Sequence, residues 1–371
     1  MSARVRVLAT LLALVVAASC ETSTPSKGPS STTTSSPSAQ AVTAADAAAT
    51  ASARLFLRRY LAADGRVVRL DQGGDTVSEG QAYAMLLSVA TGDAAHFRLA
   101  WSWARAHLER PDGLLSWHWV DGSVADPQSA SDADLVAAWA LVVASERFKS
   151  PSYLSAARAI VRGIFSKETV PFGKKLLLVA GPWAQTQPAT VDPSYLTPPA
   201  FATLAPIDSR IKALQNGATD ALRALTASTS HLPPDWATLS GSTVHASTSP
   251  DGSSSPRYGY DAVRVPLWTS VSCRVQDRTI ASSMWDFLKE GLGGPLASVY
   301  ALDGRVIDRN PSAESIVAAA AAARAAGAFS TVVSLLARAE QMDTKQPRYY
   351  PSALVALGRV LLTTDFLNAC G

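Results

Sequence analysis

The stretch DTVSEGQAYAMLLSVA, Asp75 to Ala90, combines a helix start with a carboxylate. Ser78 and Gln81 have the spacing of a capping box, in which each side chain bonds the backbone N–H of the other residue. Apolar side chains then recur at helical period, at Met85, Leu86, Val89 and Ala90. The stretch therefore predicts a helix with Glu79 on its first turn. Taken alone, Glu79 is a surface residue that complements the helix dipole.

Two later segments share this arrangement of acids beside small or aromatic residues just before an apolar run. They are ASDADLVAAWAL, Ala130 to Leu141, and RYGYDAVRVPLW, Arg257 to Trp268. Ser131 and Asp134 repeat the capping-box spacing in a weaker form, which would put Asp132 on a first turn as well. The recurrence favours a functional role for the acids.

The three segments together resemble glycoside hydrolase family 8, the inverting endoglucanases, chitosanases and xylanases built on an (α/α)6 barrel. The match to the general-acid segment of the family consists of Ser78, Glu79, Gly80, Gln81, Tyr83 and Met85. The second segment is matched by Ala130, Ser131, Asp132, Ala133 and Asp134, and the third by Tyr260, Asp261, Ala262, Arg264 and Pro266. The resemblance implies an all-α (α/α)6 barrel, a double ring of helices with short strand-like segments in its loops.

The resemblance also implies the chemistry. Glycoside cleavage with inversion needs a protonated carboxyl for the leaving oxygen and a carboxylate that activates water on the opposite face. Glu79 resembles the acid and Asp261 the base. Partial burial and the neighbouring Asp132 are expected to raise the pKa of Glu79, while Arg264 keeps Asp261 ionised. Within the second segment, Asp132 is expected to bind sugar and Asp134 to be structural.

Sugar-binding residues are implied in the same way. An indole ring complements the C–H face of a pyranose, and Trp117 occupies the place of a sugar-stacking residue in the family. The other expected substrate-binding residues are Tyr195, Tyr260, Arg264 and Tyr350. Two positions depart from the family pattern: Asp192 stands where Asn is common, and Ala84 where Gly is usual.

Helical patterns continue without a linker-like break from Ala44, so residues 44–371 are predicted to form one catalytic domain. The first helix is predicted at Ala44 to Ala63. The later ones are predicted at Phe97–Leu108, Ile207–Ala227, Thr279–Leu288, Ala313–Ala326, Ser330–Met342 and Ser352–Phe366. Leu176–Ala180 is predicted as a strand and Ser240–Ser255 as a polar loop.

The N-terminal sequence has the layout of an export signal. Arg4 and Arg6 precede a short apolar run, and small residues lead to Cys20. We expect residues 1–19 to be a signal peptide and Cys20 a lipidated N-terminus at the cell surface, with ordinary secretion as the alternative. Residues 20–43, rich in Ser, Thr and Pro, are predicted to be a disordered tether.

Apart from Cys20, the chain contains Cys273 and Cys370. In an oxidising compartment an even pair favours a disulfide, and two separate buried thiols are the alternative. The sequence does not distinguish them, because bridging depends on the distance between the two residues.

Composition narrows the function further. The net charge is +3, charged residues make up 17% of the chain, and no Lys/Arg block is present, which argues against a nucleic-acid partner. Zinc-type Cys/His spacing and phosphate-binding loops are also missing from the sequence, so we expect no metal and no cofactor. The partners expected are a polysaccharide and a membrane, and the protein is expected to be monomeric.

The substrate class is less defined than the reaction. The three segments and Leu232–Trp236 look most like the β-1,4-glucanase branch of the family, including cellulases, while chitosanases and xylanases have similar acids. A different hypothesis is a glycan-binding lipoprotein on an inactive barrel, which would lack one of the two key acids. Both acids are present.

Overall fold

The computed structural model describes residues 39–294, 296–368 and 370, and residues 39–371 form one compact unit. The predicted signal peptide, Cys20 and the tether as far as residue 38 lie outside the described residues. Among the described helices, none is long and apolar enough to cross a membrane.

Within the described part of the chain, six helices are buried along most of their length and form an inner ring. They are α2 (Ser78–Ala90), α4 (Ser131–Arg147), α6 (Pro198–Leu204), α8 (Arg264–Ser270), α11 (Ala313–Ala325) and α13 (Tyr349–Thr363). Each contacts the next in this order, and α13 contacts α2, which closes the ring. Small side chains, as in the Ala-rich α11, let the backbones approach closely.

An outer layer of amphipathic helices covers this ring. It consists of α1 (Ala39–Tyr60), α3 (Ala94–His107), α5 (Pro151–Lys167), α7 (Ile211–Leu225), α9 (Val275–Ser283) and α12 (Phe329–Lys345). Each outer helix packs mainly on one inner helix, α1 on α13 and the others on the inner helix that precedes them, while α1, α9 and α12 also contact a second inner helix. A short α10 (Trp285–Glu290) follows α9. The predicted (α/α)6 barrel is confirmed.

Short antiparallel strands lie in the connections that lead from an outer helix to the next inner helix. Three sheets have three strands each: β1 (Thr76–Val77), β2 (Ser116–Val120) and β3 (Ser123–Ser129); β6 (Ala189–Val191), β7 (Trp236–Ser240) and β8 (Thr243–Ser247); and β9 (Arg257–Tyr258), β10 (Ala297–Ala301) and β11 (Val306–Pro311). A hairpin is formed by β4 (Thr169–Phe172) and β5 (Lys175–Leu178). The strands thus gather at the end of the barrel where the inner helices begin.

Several predicted boundaries differ from the structure. The first helix starts at Ala39 instead of Ala44, because Ala-rich sequence continues the helix into the predicted tether. The predicted helix Thr279–Leu288 is divided between α9 and α10, and β8 lies inside the predicted polar loop. The last helix begins at Tyr349, three residues earlier than predicted, because Pro351 is tolerated in a first turn.

Both predicted capping boxes were wrong. The N-cap of α2 is Val77, and Gln81 instead accepts a hydrogen bond from Val67 N–H and donates to the carbonyls of Gly65 and Ala100, each at 3.0 Å. The N-cap of α4 is Ala130. The polar residues near these helix starts therefore fasten neighbouring loops rather than their own helices.

Candidate active site

The three segments predicted from the sequence meet at the guanidinium of Arg264, on the first residue of α8. Its Nη1 donates to Glu79 Oε2 at 2.8 Å and to Asp132 Oδ2 at 3.0 Å. Its Nη2 donates to Asp261 Oδ1 at 3.2 Å and lies 3.6 Å from Asp192 Oδ2. Since Glu79, Asp132 and Arg264 all lie on first turns, the inner helices present their N-terminal ends to one shared site.

Glu79 has the environment of a proton donor. Burial raises its pKa to about 7, and the negative charges of Asp132 and Asp261 act in the same direction, while Arg264 opposes the shift. Tyr349 donates a hydrogen bond to Glu79 Oε1 at 3.0 Å, which also favours the ionised form. Burial and the neighbouring carboxylates therefore outweigh the opposing effects of Arg264 and Tyr349, and burial and Asp132 raise the pKa of Glu79 as expected from the sequence.

The glycine after Glu79 makes room for that tyrosine. A Cβ atom at Gly80 would lie 2.9 Å from the hydroxyl of Tyr349 and 3.1 Å from Cγ1 of Val67. Contacts this close force the neighbours to move. Gly80 therefore allows α13 to bring Tyr349 against the carboxyl of Glu79.

Asp261 is the more open of the two key acids. Its side chain is 37% exposed, against 18% for Glu79. Burial raises its pKa, and the positive charges of Arg264 and Arg257 oppose that shift. The carboxyl therefore faces a route for water while keeping a cation beside it.

The loop that carries Asp261 is held by a buried carboxyl. Asp235 Oδ1 accepts hydrogen bonds from Gly259 N–H at 2.9 Å and Ala262 N–H at 3.0 Å, on either side of Asp261. A Cβ atom at Gly259 would lie 2.5 Å from Asp235 Oδ2, so the close approach requires glycine. Burial, followed by the charge of Asp261, raises the pKa of Asp235 to about 6.

Asp132 sits beside Glu79 because both share Nη1 of Arg264, whereas Asp261 bonds Nη2. The shared nitrogen makes Asp132 a neighbour of Glu79, which is the relation expected from the sequence. Burial raises the pKa of Asp132, while the charge of Arg264 and the backbone N–H of Ala133 favour its ionised form.

Asp134 points away from this group. Its Oδ1 accepts from Leu115 N–H at 2.8 Å, and its buried carboxyl lies near that of Glu168, which accepts from Ser129 Oγ at 2.7 Å. Burial raises both pKa values, that of Glu168 to about 8. Asp134 thus holds α4 to the residue before β2, and Glu168 holds the residue after α5 to the end of β3, which agrees with the structural role expected for Asp134.

Aromatic residues surround the cluster. The Arg264 guanidinium lies 5.3 Å from the ring centre of Tyr195 and 5.9 Å from that of Tyr350. Tyr350 donates to the carbonyl of Tyr260 at 2.7 Å, and Tyr260 itself is 42% exposed. These three predicted residues are therefore brought together with Arg264.

Trp117 lies on β2, whose partner strand β1 leads directly into α2. Its half-buried ring stacks on His118, with ring centres 4.5 Å apart. His118 Nε2 bonds Asp75 Oδ2 at 2.8 Å, and Asp75 also pairs with Arg69. The first residue of the stretch that opens the sequence analysis thus helps to hold Trp117 in place.

Sequence reasoning missed three supporting residues. Tyr349 was passed over in favour of its neighbour Tyr350, although the pair was visible; only the first turn of α13 decides which hydroxyl reaches Glu79. Asp192 was noted only as a departure from the family pattern, and Asp235 only as part of the segment Leu232–Trp236. The signal that could have identified these two acids is that each lies in a segment with few other charges.

The structure joins Cys273 to Cys370 in a disulfide, with Cα atoms 5.2 Å apart and a sequence separation of 97. The bond ties the connection between α8 and α9 to the C-terminal segment. The sequence left open a disulfide or two separate thiols, and the structure contains the disulfide.

Comparison with known proteins agrees with this arrangement. The model of the family described as glycosyl hydrolases family 8 matches residues 31–363. A probable endoglucanase of Novacetimonas hansenii is 35% identical over 225 residues, which are 58% of this chain and 64% of that protein. An endoglucanase of Cellulomonas uda is 30% identical over 222 residues, 57% of this chain and 60% of that protein. The chain thus spans less than two thirds of the length of either relative.

Among solved structures, the endo-β-1,4-glucanase CMCax from Acetobacter xylinum superposes with a TM-score of 0.72 at 26% identity. The match covers 85% of this chain and 98% of that one. The similarity therefore extends over most of this chain.

Proposed function

This chain belongs to glycoside hydrolase family 8, and from that membership we propose that it hydrolyses β-1,4-glycosidic bonds in a β-glucan such as cellulose. The observation that carries the proposal is the convergence of Glu79, Asp132 and Asp261 on Arg264. The endoglucanases among its relatives support a glucan as the substrate and cleavage at internal bonds of that polysaccharide.

In the proposed reaction, Glu79 gives its proton to the glycosidic oxygen as the bond to the anomeric carbon breaks. Asp261 takes a proton from a water molecule that attacks the same carbon from the opposite face, so the configuration is inverted. The two carboxyls are expected to lie roughly 6.5 to 9.5 Å apart, which leaves room for that water. The greater exposure of Asp261 supports its role as the base.

The two acids need opposite protonation states, and their surroundings support this division. Glu79, with a pKa of about 7, retains its proton in mildly acidic solution. Asp261 has Arg264 and Arg257 to stabilise its ionised form. The proposal therefore implies that activity declines as the pH rises through about 7, because Glu79 then loses the proton that it must donate.

The experiment is reducing-sugar release from carboxymethylcellulose, mixed-linkage glucan, chitosan and xylan. Replacing Glu79 by Gln should preserve folding and glycan binding and lower the rate about 10² to 10⁴-fold, and Asp261→Asn should do the same. Early product stereochemistry, read by NMR, should show the α anomer. Retained β configuration, or wild-type rates for Glu79→Gln, would contradict the mechanism.

The same substrate panel decides between the alternatives. A chitosanase or xylanase of this fold would release sugar from chitosan or xylan in preference to glucan. A non-catalytic glycan-binding lipoprotein would bind glycans and cleave none. The presence of both acids around Arg264 favours an enzyme over the binding protein.

We further propose that the protein is exported as a monomer and held at the cell surface by lipid on Cys20. The motivation is the apolar run, the small residues and the Cys followed directly by a polar segment. Stable attachment requires two acyl chains, since one chain gives only marginal membrane binding. Mass spectrometry of membrane-extracted protein should find a diacylated Cys20; an unmodified N-terminus at another residue would reject the anchor.

A further inference from the structure

The carboxyl cluster has more acids than cations. Four carboxyl groups surround Arg264, and the guanidinium is 3% exposed. Four ionised carboxylates would leave a large uncompensated negative charge in a closed site, which is costly. The cluster must therefore hold protons. The proposed mechanism assigns one proton to Glu79, which leaves three carboxyl groups for the two cations that act on this side of the cluster, Arg264 and Arg257.

Asp192 is the most enclosed of these three. Its side chain is fully buried, while Asp132 is 8% and Asp261 37% exposed. Asp192 Oδ1 accepts from the N–H and Oγ of Ser194, at 2.8 and 2.7 Å. Asp192 Oδ2 has no hydrogen-bond partner and lies 3.6 Å from Arg264 Nη2. One oxygen is thus satisfied, and the other faces the cation that also binds Asp261.

We propose that Asp192 holds a second proton in the active enzyme, and that its neutral carboxyl positions Asp261 by leaving the Nη2 hydrogen bond of Arg264 to that base. The inference rests on the proposed function in one respect, that Asp261 is the base. Asp192 itself is a positioning residue, since it acts through Arg264.

Charge explains why neutrality matters. An ionised Asp192 would compete with Asp261 for Nη2 and repel its carboxylate across the same nitrogen. A neutral carboxyl competes more weakly for that nitrogen and exerts no net charge repulsion on Asp261. An Asn side chain has a similar shape and is likewise neutral, so Asp192→Asn reproduces the proposed protonated state.

The groups facing Asp192 come from three elements. Asp261 precedes α8 and Arg264 begins it, Asp132 lies on α4, and Tyr195 shares the 3-10 turn Pro193–Tyr195 with Ser194. Burial and the charge of Asp261 raise the pKa of Asp192 well above its ordinary value, while Arg264 and Ser194 oppose the shift. Burial and the negative charge of Asp261 therefore favour a protonated Asp192, as its enclosed position does.

The protonation state can be measured without any activity. Carboxyl ¹³C NMR of aspartate-labelled protein at about pH 5.5, where an ordinary aspartate is ionised, should show a protonated carboxyl that disappears in Asp192→Asn. Asp220→Asn, at an exposed residue outside the site, is the matched control and should leave that signal unchanged. If the two variants give the same set of protonated signals, Asp192 is ionised and the inference is wrong.

Kinetics then test the positioning role. Asp192→Asn should leave the acid limb of the kcat/KM profile in place, because the wild-type residue is already neutral. Asp192→Ala should lower kcat about 10- to 100-fold, the scale of a misplaced catalytic group. An acid limb that moves to lower pH in Asp192→Asn would refute the proposal. A proton on Asp192 without hydrolysis of any glycan would instead reject the proposed function.

Discussion

Replacing Tyr349 by Phe should raise the pKa of Glu79 and move the alkaline limb of the pH–rate profile upward. The substitution removes only the hydroxyl, which donates to Glu79 Oε1 at 3.0 Å and favours its ionised form. A folded-state pKa that rises keeps the acid protonated to higher pH, so activity persists further into the alkaline range.

The size of the shift follows from that one hydrogen bond. A hydrogen bond to a charged group contributes about 1.5 to 3 kcal/mol, and one pKa unit corresponds to about 1.4 kcal/mol. Glu79 is partly open to solvent, which weakens the interaction, so we expect a shift of about one unit from the wild-type value of about 7. The acid limb of the pH–rate profile reports the ionisation of Asp261, the proposed base, and its position should change little.

The assay is kcat/KM across the pH range on the best glucan, with circular dichroism to verify folding at each end. Tyr60→Phe is the matched control, because its hydroxyl bonds Ser352 at 3.1 Å and its ring packs edge-on against Tyr349 without touching Glu79. The control should leave the alkaline limb in place. An unmoved or lowered limb in Tyr349→Phe would refute the assignment of Glu79 as the group that controls it.

Three further predictions concern the supports of the site. Gly80→Ala places a Cβ atom 2.9 Å from the same tyrosine hydroxyl, so it should lower kcat/KM and move the alkaline limb upward; a wild-type profile would show that the hydroxyl is not displaced. Asp235→Ala removes the acceptor of two backbone N–H groups beside the proposed base and should lower kcat about 10- to 100-fold with a smaller change in KM, measured by steady-state kinetics. Joint replacement of Cys273 and Cys370 by Ala should reduce the free energy of unfolding by up to about 4 to 5 kcal/mol in the chain-entropy model, measured by urea denaturation, and alkylation of the unreduced wild-type protein should find neither thiol free.

Predictions from local patterns succeeded where one physical requirement dominates. Helical periodicity in the opening stretch located α2, and Glu79 is on its first turn as expected. The capping boxes failed because Ser and Gln side chains have several acceptors and donors within reach in a folded protein. Gln81 hydrogen-bonds the backbone of Val67 and Gly65, in the preceding loop, instead of the start of its own helix.

Residue roles that depend on distance in space were harder to predict. Arg264 was expected to pair with Asp261, three residues away, because that spacing follows from a helix. Its contacts with Glu79 and Asp132 join residues separated by 185 and 132 positions, and no local pattern predicts them. The resemblance to a family identified the candidate acids. Only the fold shows that Glu79, Asp132 and Asp261 all bond Arg264.

The sequence alone predicted a helical domain, the family and the two candidate acids, because these depend on composition, periodicity and motifs within short segments. Tertiary structure decided which tyrosine bonds Glu79, that Asp134 turns toward Glu168, and that Asp192 joins the group around Arg264. The physical reason is that ionisation and hydrogen bonding depend on burial and on distances of a few ångströms. Closure of the inner ring sets those distances by bringing the starts of separate helices together.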